Sequence, residues 1–174
     1  MGYTLNELAT DIHRELSADS GPAGKAAVCA AVARALKDEE FVTTNLKDRA
    51  DGHPREVLYE DPQLGFCICG HVYPTKAIGS PHDHGPSWAI YGQATGVTEM
   101  TEWNIVEKGE NGKPTLVEPR VTYVMNPGDV HFYEAGTVHS PRREAPVKLL
   151  RIEGSNLDHI QRSNIKARDA AAAK

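Results

Sequence analysis

From Phe41 to Gly154 the chain is cut every few residues by Gly, Pro, Asn or Asp, and the segments between are short and rich in β-branched and aromatic residues. That texture belongs to an antiparallel barrel or sandwich, because each segment spans a strand and is then forced to turn. Strands are expected at 57–60, 65–73, 80–84, 88–94, 97–106, 115–125, 130–134, 138–142 and 147–152. Glu110-Asn111-Gly112-Lys113 and Asn126-Pro127-Gly128-Asp129 carry the turn chemistry between them.

The ends read differently. Thr4 and Glu7 form a capping box, and Leu5, Leu8, Ile12 and Leu16 recur at helical spacing, which predicts an amphipathic helix over 4–17. Ser20-Gly21-Pro22 breaks it, and the alanine-rich stretch 23–37, with Val28, Val32, Ala35 and Leu36 on one stripe, reads as a second helix holding Cys29 in its core face. After Gly154-Ser155-Asn156 a third helix is expected to about Ala170, then a frayed tail at 171–174. The expected organisation is one domain over 1–174: a helical extension at 1–40, a β-barrel at 41–154, and a helix and tail at 155–174.

The chain's 174 residues carry 19 basic against 24 acidic side chains, a net charge of −5, so there is no basic stripe for a phosphate backbone and nucleic acid is not expected as a partner. No apolar run reaches membrane-spanning length, and the first residues lack the basic start and apolar core of a signal peptide, so a cytoplasmic protein without membrane association is expected. Cys29, Cys67 and Cys69 lack CxxC spacing, which suits reduced thiols.

Two stretches carry chemistry: Gly79-Ser-Pro-His82-Asp83-His84-Gly-Pro-Ser-Trp88 and, far downstream, Gly136-Thr-Val-His139. On a strand, residues i and i+2 project from one face, so His82 and His84 can aim two imidazole nitrogens at one point. A third histidine from a distant strand would complete a face of neutral nitrogens for a divalent transition metal and leave positions open for substrate or dioxygen.

Gly79-x2-His82-x-His84, followed by a strand and Gly96 at a tight turn, and Gly128-x5-Glu134-x-Gly136-x2-His139 resemble the paired motifs of the cupin superfamily over roughly residues 55–154. The resemblance implies a mainly β cupin double-stranded β-helix, here with two N-terminal helices and a C-terminal helix. The glutamate that typical cupins add as a fourth ligand matches Ala89, so the chain offers three histidines and no carboxylate there. With the turn His-Asp-His-Gly-Pro-Ser-Trp and two leading helices, it resembles the cysteine dioxygenase-related thiol dioxygenases. That resemblance implies Fe(II) held by His82, His84 and His139, with zinc, nickel or manganese as alternatives, and Arg55 as the grip on a substrate carboxylate.

The chain departs from that group on the last barrel strand, where a Ser-x-His-x-Tyr run is replaced by Leu149-Leu150-Arg151-Ile152-Glu153. Period-two alternation puts Leu149, Arg151 and Glu153 on one face. Either Arg151 binds an anionic substrate with Glu153 orienting it, or the two form an ion pair at the rim; Arg55 has the same two readings. Tyr91 is expected to project inward beside the histidines as a pocket-lining aromatic or a catalytic acid.

The resulting expectation is a mononuclear iron dioxygenase acting on dioxygen and a small anionic, thiol carboxylate substrate. A three-histidine enzyme of other chemistry, cleaving carbon–carbon bonds or working without redox, is the second reading, and a non-catalytic binding module the third. Asp83 reads as a supporting hydrogen-bond group, and His131 as a polar strand residue near the rim. Cys67, Cys69 and His71 alternate along one strand, where packed core is the reading over a second soft-metal site. His13, His53 and His159 are expected in solvated positions, and Trp88 and Trp103 to pack on the outer helices or on a second copy in a homodimer.

Overall fold

Among the described residues ten strands lie in two five-stranded sheets, and the order within each sheet shows how the chain crosses between them. The computed structural model describes residues 2–168. Three helices lead: α1 (Leu5–Ala18), α2 (Pro22–Leu36) and α3 (Glu39–Asn45). The strands follow as β1 (Arg55–Glu60), β2 (Cys67–Tyr73), β3 (Ala77–Ile78), β4 (Ala89–Thr95), β5 (Thr98–Glu107), β6 (Thr115–Met125), β7 (Val130–Tyr133), β8 (His139–Arg143), β9 (Val147–Glu153) and β10 (Ile165–Ala167).

One sheet runs β1-β2-β9-β4-β7 and the other β10-β6-β5-β8-β3. All pairs are antiparallel except β10 with β6. Distant strands become neighbours, β9 between β2 and β4, and β8 between β5 and β3, which is the double crossover of a double-stranded β-helix. Gly96, at φ +69°, makes the β4–β5 turn, where a Cβ would lie 2.4 Å from the Pro146 carbonyl oxygen.

The first sheet is covered on both faces. Ile68, Ile90, Leu150 and Ile152 point outward and bury against Leu8, Ile12, Val28 and Val32 of the two long helices. Their odd-numbered neighbours, among them Ala89, Tyr91 and Leu149, face the barrel interior with Met100, Met125 and Tyr133 from the rest of the barrel. The same alternation sends Arg151 and Glu153 inward, buried at 5% and 0% exposure. One strand therefore anchors the helices with one face and builds the cavity with the other.

Three local expectations are corrected. Phe41 does not open the barrel but sits in α3, capped by Asp38, whose side chain accepts from the Phe41 amide at 3.0 Å. Seven residues are too few to show helical periodicity, and the buried Phe41 ring, not propensity, holds this helix on the others. No strand forms at 80–84, because Pro81 has no amide to donate and Gly85 turns at φ +59°. His82 forms an isolated bridge to His139 there, with amide-to-carbonyl distances of 3.0 and 2.9 Å in the two directions.

Among the described residues the C-terminal segment does not form the expected helix. Residues 155–168 make a 3-10 turn at Leu157–His159 and then extend into β10, parallel to β6. The segment finds hydrogen-bond partners in the barrel that a helix would forgo: the Thr115 amide donates to the Asn164 carbonyl at 2.8 Å, and the Ser163 hydroxyl donates to Asp83 at 2.6 Å. The tail expected at 171–174 lies outside the described residues. No helix is long and apolar enough to cross a membrane, among the described residues.

Candidate metal centre

The His82–His139 bridge brings residues 57 positions apart into one plane of the barrel, and the turn at Gly85 lets His84 reach the same point. The ring centroids lie 4.7 Å (His82–His139), 4.9 Å (His84–His139) and 5.7 Å (His82–His84) apart, and one ring nitrogen from each falls within 4.8 Å of the others. Among the described residues this is the one cluster of such groups that could hold a metal ion.

The donor chemistry fits a metal. His82 Nδ1 donates to the Ser80 carbonyl at 2.9 Å and His139 Nδ1 to the Thr137 carbonyl at 3.1 Å, which fixes the tautomer and leaves each Nε2 with a lone pair facing the cluster. Burial pulls His82 down to about 4 and His139 down to about 3, and it pulls His84 down further still, with nearby Arg151 adding to the effect. All three are neutral near pH 7, the state in which imidazole ligates.

Tyr91 enters from β4. Its hydroxyl lies 3.1 Å from His84 Nε2 and 3.2 Å from His139 Nε2, and it accepts from Arg151 Nη1 at 2.9 Å. Arg151 Nη2 in turn meets Glu153 at 2.6 Å, Arg55 holds the other Glu153 oxygen at 2.8 Å, and Arg55 Nη1 grips both Asp158 oxygens at 2.7 and 2.8 Å. A chain of charged hydrogen bonds thus runs from the exposed Asp158 to the histidines. Burial alone would raise the Glu153 carboxyl, but Arg151 and Arg55 outweigh it and hold the group below the usual carboxylate range.

The arrangement places the residues singled out in the sequence as follows. His82, His84, His139, Tyr91, Arg151 and Glu153 come together, and Arg55 joins them through Glu153. Both Arg55 and Arg151 already hold carboxylates of the protein. His131 stands apart on β7, stacked on Tyr123, tilted against Tyr133 and 3.4 Å from Glu102. Asp83 points away from the cluster and secures the C-terminal segment through Ser163. Cys67 and Cys69 are free, buried thiols pushed up to about 12, first by burial and then by neighbouring carboxylates. His13 pairs with Asp61 at 2.8 Å, and Trp88 packs near Phe132 in the helix-facing core.

A cavity of about 530 Å³ opens beside the histidines, lined by His71, Tyr73, His82, Tyr91, Arg143 and Arg151 among others. That size suits a small ligand. Arg143 and Tyr73 were not singled out in the sequence. The signal was present, since Arg143 follows His139 by four residues on a strand and so repeats its face.

The chain is a double-stranded β-helix carrying a three-histidine group that could hold a metal. No family model and no curated protein matches it. Solved structures do resemble it. A cupin superfamily protein from Desulfitobacterium hafniense shares 14% identity over 59% of this chain and 76% of its own, with a TM-score of 0.44. KdgF from Halomonas sp. shares 17% over 61% and 83%, at 0.44. An uncharacterized conserved protein with a double-stranded beta-helix domain from Klebsiella pneumoniae shares 14% over 70% and 86%, at 0.48. The fold assignment stands on the strand order and pairing of the chain itself.

Proposed function

We propose that the protein is a mononuclear non-haem iron dioxygenase that oxidises a small anionic substrate, a thiol carboxylate, with dioxygen. The observation that carries this reading is the set of three imidazoles, neutral near pH 7, whose ring nitrogens converge within 4.8 Å of one another with no carboxylate among them. His82, His84 and His139 would hold Fe(II), which supplies the redox chemistry that activates dioxygen. Thiol oxidation then balances as R–SH + O2 → R–SO2H, both oxygen atoms entering the product.

The protein's own groups supply position and charge. Arg151 donates to the Tyr91 hydroxyl and so orients it at the two imidazoles. Glu153 neutralises Arg151 and fixes its fork from behind. Arg143 lines the same cavity with no carboxylate beside it, and this charge favours an anion over a neutral molecule.

Metal analysis of protein purified without added metal tests the first half of the proposal: iron is expected, and zinc, nickel or manganese alone would overturn it. Oxygen-electrode traces with 3-mercaptopropionate, cysteine and mercaptosuccinate test the second, with sulfinate formation in step with oxygen uptake as the expected result. Leu149, Arg151 and Glu153 in place of the Ser-x-His-x-Tyr run favour one competing reading, a three-histidine enzyme that cleaves a carbon–carbon bond or uses its metal without redox. Iron content without uptake on any thiol would select that reading.

A further inference from the structure

Among the described residues, four buried side-chain polar atoms have no hydrogen-bond partner: His71 Nε2, Thr98 Oγ1, Arg143 Nε and Arg151 Nε. Three of these four belong to residues that line the cavity beside the histidines. Buried polar groups in folded proteins are normally satisfied, so orphans gathered around one cavity mark the place where a ligand brings the missing partners.

Arg143 is the decisive member of the three. It is only 4% exposed and lies over the Tyr73 ring, its guanidinium carbon 4.3 Å from the centroid. The groups that act on it electrostatically are Tyr73, Tyr91 and Arg151, none of them a carboxylate, and burial pulls it below its ordinary value. Arg55 and Arg151 differ, since both are neutralised by Glu153, and Arg55 also by Asp158. An arginine stays charged at any ordinary pH, so a buried one without a counter-ion is costly unless a bound anion completes it.

The location agrees. His139, Pro141 and Arg143 repeat one face of β8, and the strand rise sets Arg143 about 13 Å from His139 along the backbone. His82 and Tyr91 line the same cavity. A ligand in that cavity can therefore meet Arg143 and the His82 end of the histidine cluster together.

We propose that Arg143 is the residue that anchors the substrate, taking a carboxylate on its fork, with Tyr73 fixing the guanidinium plane and His71 offering a further polar contact. The substrate class is a short-chain carboxylate whose reacting group faces His82, His84 and His139. This rests on the anionic substrate of the proposed function but not on its metal or its redox chemistry.

Calorimetric titration of chelator-treated protein with malonate and with 3-mercaptopropionate tests it, with neutral malonamide as control. Both carboxylates are expected to bind and malonamide not to. Arg143→Gln should weaken binding by about tenfold or more, and Arg143→Lys should lose part of it by keeping charge without the fork. Arg142→Gln, at the exposed neighbour paired with Glu144, should match the wild type.

Thermal unfolding supplies a readout that a merely structural role would move in the opposite direction. Ligand-free Arg143→Gln should melt no lower than wild type, because it removes an uncompensated buried charge, and malonate should raise the Tm of wild type alone. Arg143→Met, which keeps an unbranched chain over Tyr73, carries the same expectation should Arg143→Gln not fold. The proposal is overturned if neither carboxylate binds at millimolar concentration, if Arg143→Gln binds as wild type does, or if both variants fail to fold. Protein that carries no iron as purified, yet binds malonate through Arg143, would sink the dioxygenase and sustain this anchor, whereas iron and thiol oxidation unaffected by Arg143→Gln would do the reverse.

Discussion

Arg151 Nη1 donates to the Tyr91 hydroxyl at 2.9 Å, and that hydroxyl sits between the Nε2 atoms of His84 and His139. The two residues face each other across a β4–β9 pair in register, so the contact is set by the sheet and not by loop conformation. Tyr91→Phe should leave Arg151 Nη1 without this acceptor and lower stability by about 1–3 kcal/mol, read from urea unfolding. Metal content should be retained while turnover falls.

Both Arg55 and Arg151 touch Glu153, which is fully buried. Glu153→Gln should therefore destabilise the chain by about 3–5 kcal/mol, because two guanidinium groups lose their shared counter-ion in a low-dielectric interior. A fall of less than about 1 kcal/mol in denaturant unfolding would show that the pair is solvated in solution.

His131 and His139 lie on consecutive strands, β7 and β8, but of the two His139 faces His82 and His84. His139→Ala should abolish metal retention, measured by elemental analysis after gel filtration. His131→Ala should keep the metal at wild-type stoichiometry, and the opposite pattern would reassign the ligand.

Asp61 ties the β1–β2 turn to α1, accepting from the Leu64 amide at 2.7 Å, the Gln63 amide at 2.9 Å and His13 at 2.8 Å. Burial would raise its carboxyl, but these hydrogen bonds prevail and hold it below the ordinary 3.8. Its stabilising contribution is complete above that ordinary value and is lost as pH falls through the folded-state titration. Asp61→Asn should lower the melting temperature at pH 7 and shrink the acid-induced loss seen in wild type; an unchanged acid profile would remove Asp61 from that transition.

Ile152 faces the helices from the strand that carries Arg151 and Glu153, and it is fully buried. Ile152→Ala should cost about 2–5 kcal/mol through lost transfer energy and a cavity, with little change in metal stoichiometry. Loss of metal at equal folding would mean that helix packing and cavity geometry are coupled.

Much of this was legible in the chain. The alternation Leu149-Leu150-Arg151-Ile152-Glu153 already separates a helix-facing set from a cavity-facing set, since a strand has a side-chain period of two. The capping box at Thr4 and Glu7 and the Gly21-Pro22 break marked the first two helices within a residue or so. Residues 155–168 resisted for a physical reason: their polar, charged pattern suits a surface helix, but Thr115 and Asp83 offer partners that only an extended chain can reach.

By itself the sequence determined the periodicities, the turns and the identities of the histidines, because these follow from local sterics and from which side chains can ligate. Tertiary structure decided what those groups touch. Arg55, Arg143 and Arg151 are the same residue type, yet Glu153 and Asp158 close around two of them and leave the third against Tyr73 without a carboxylate. Charge compensation is a matter of a few ångströms between residues up to about a hundred positions apart, and only the crossing of β9 between β2 and β4 sets those distances.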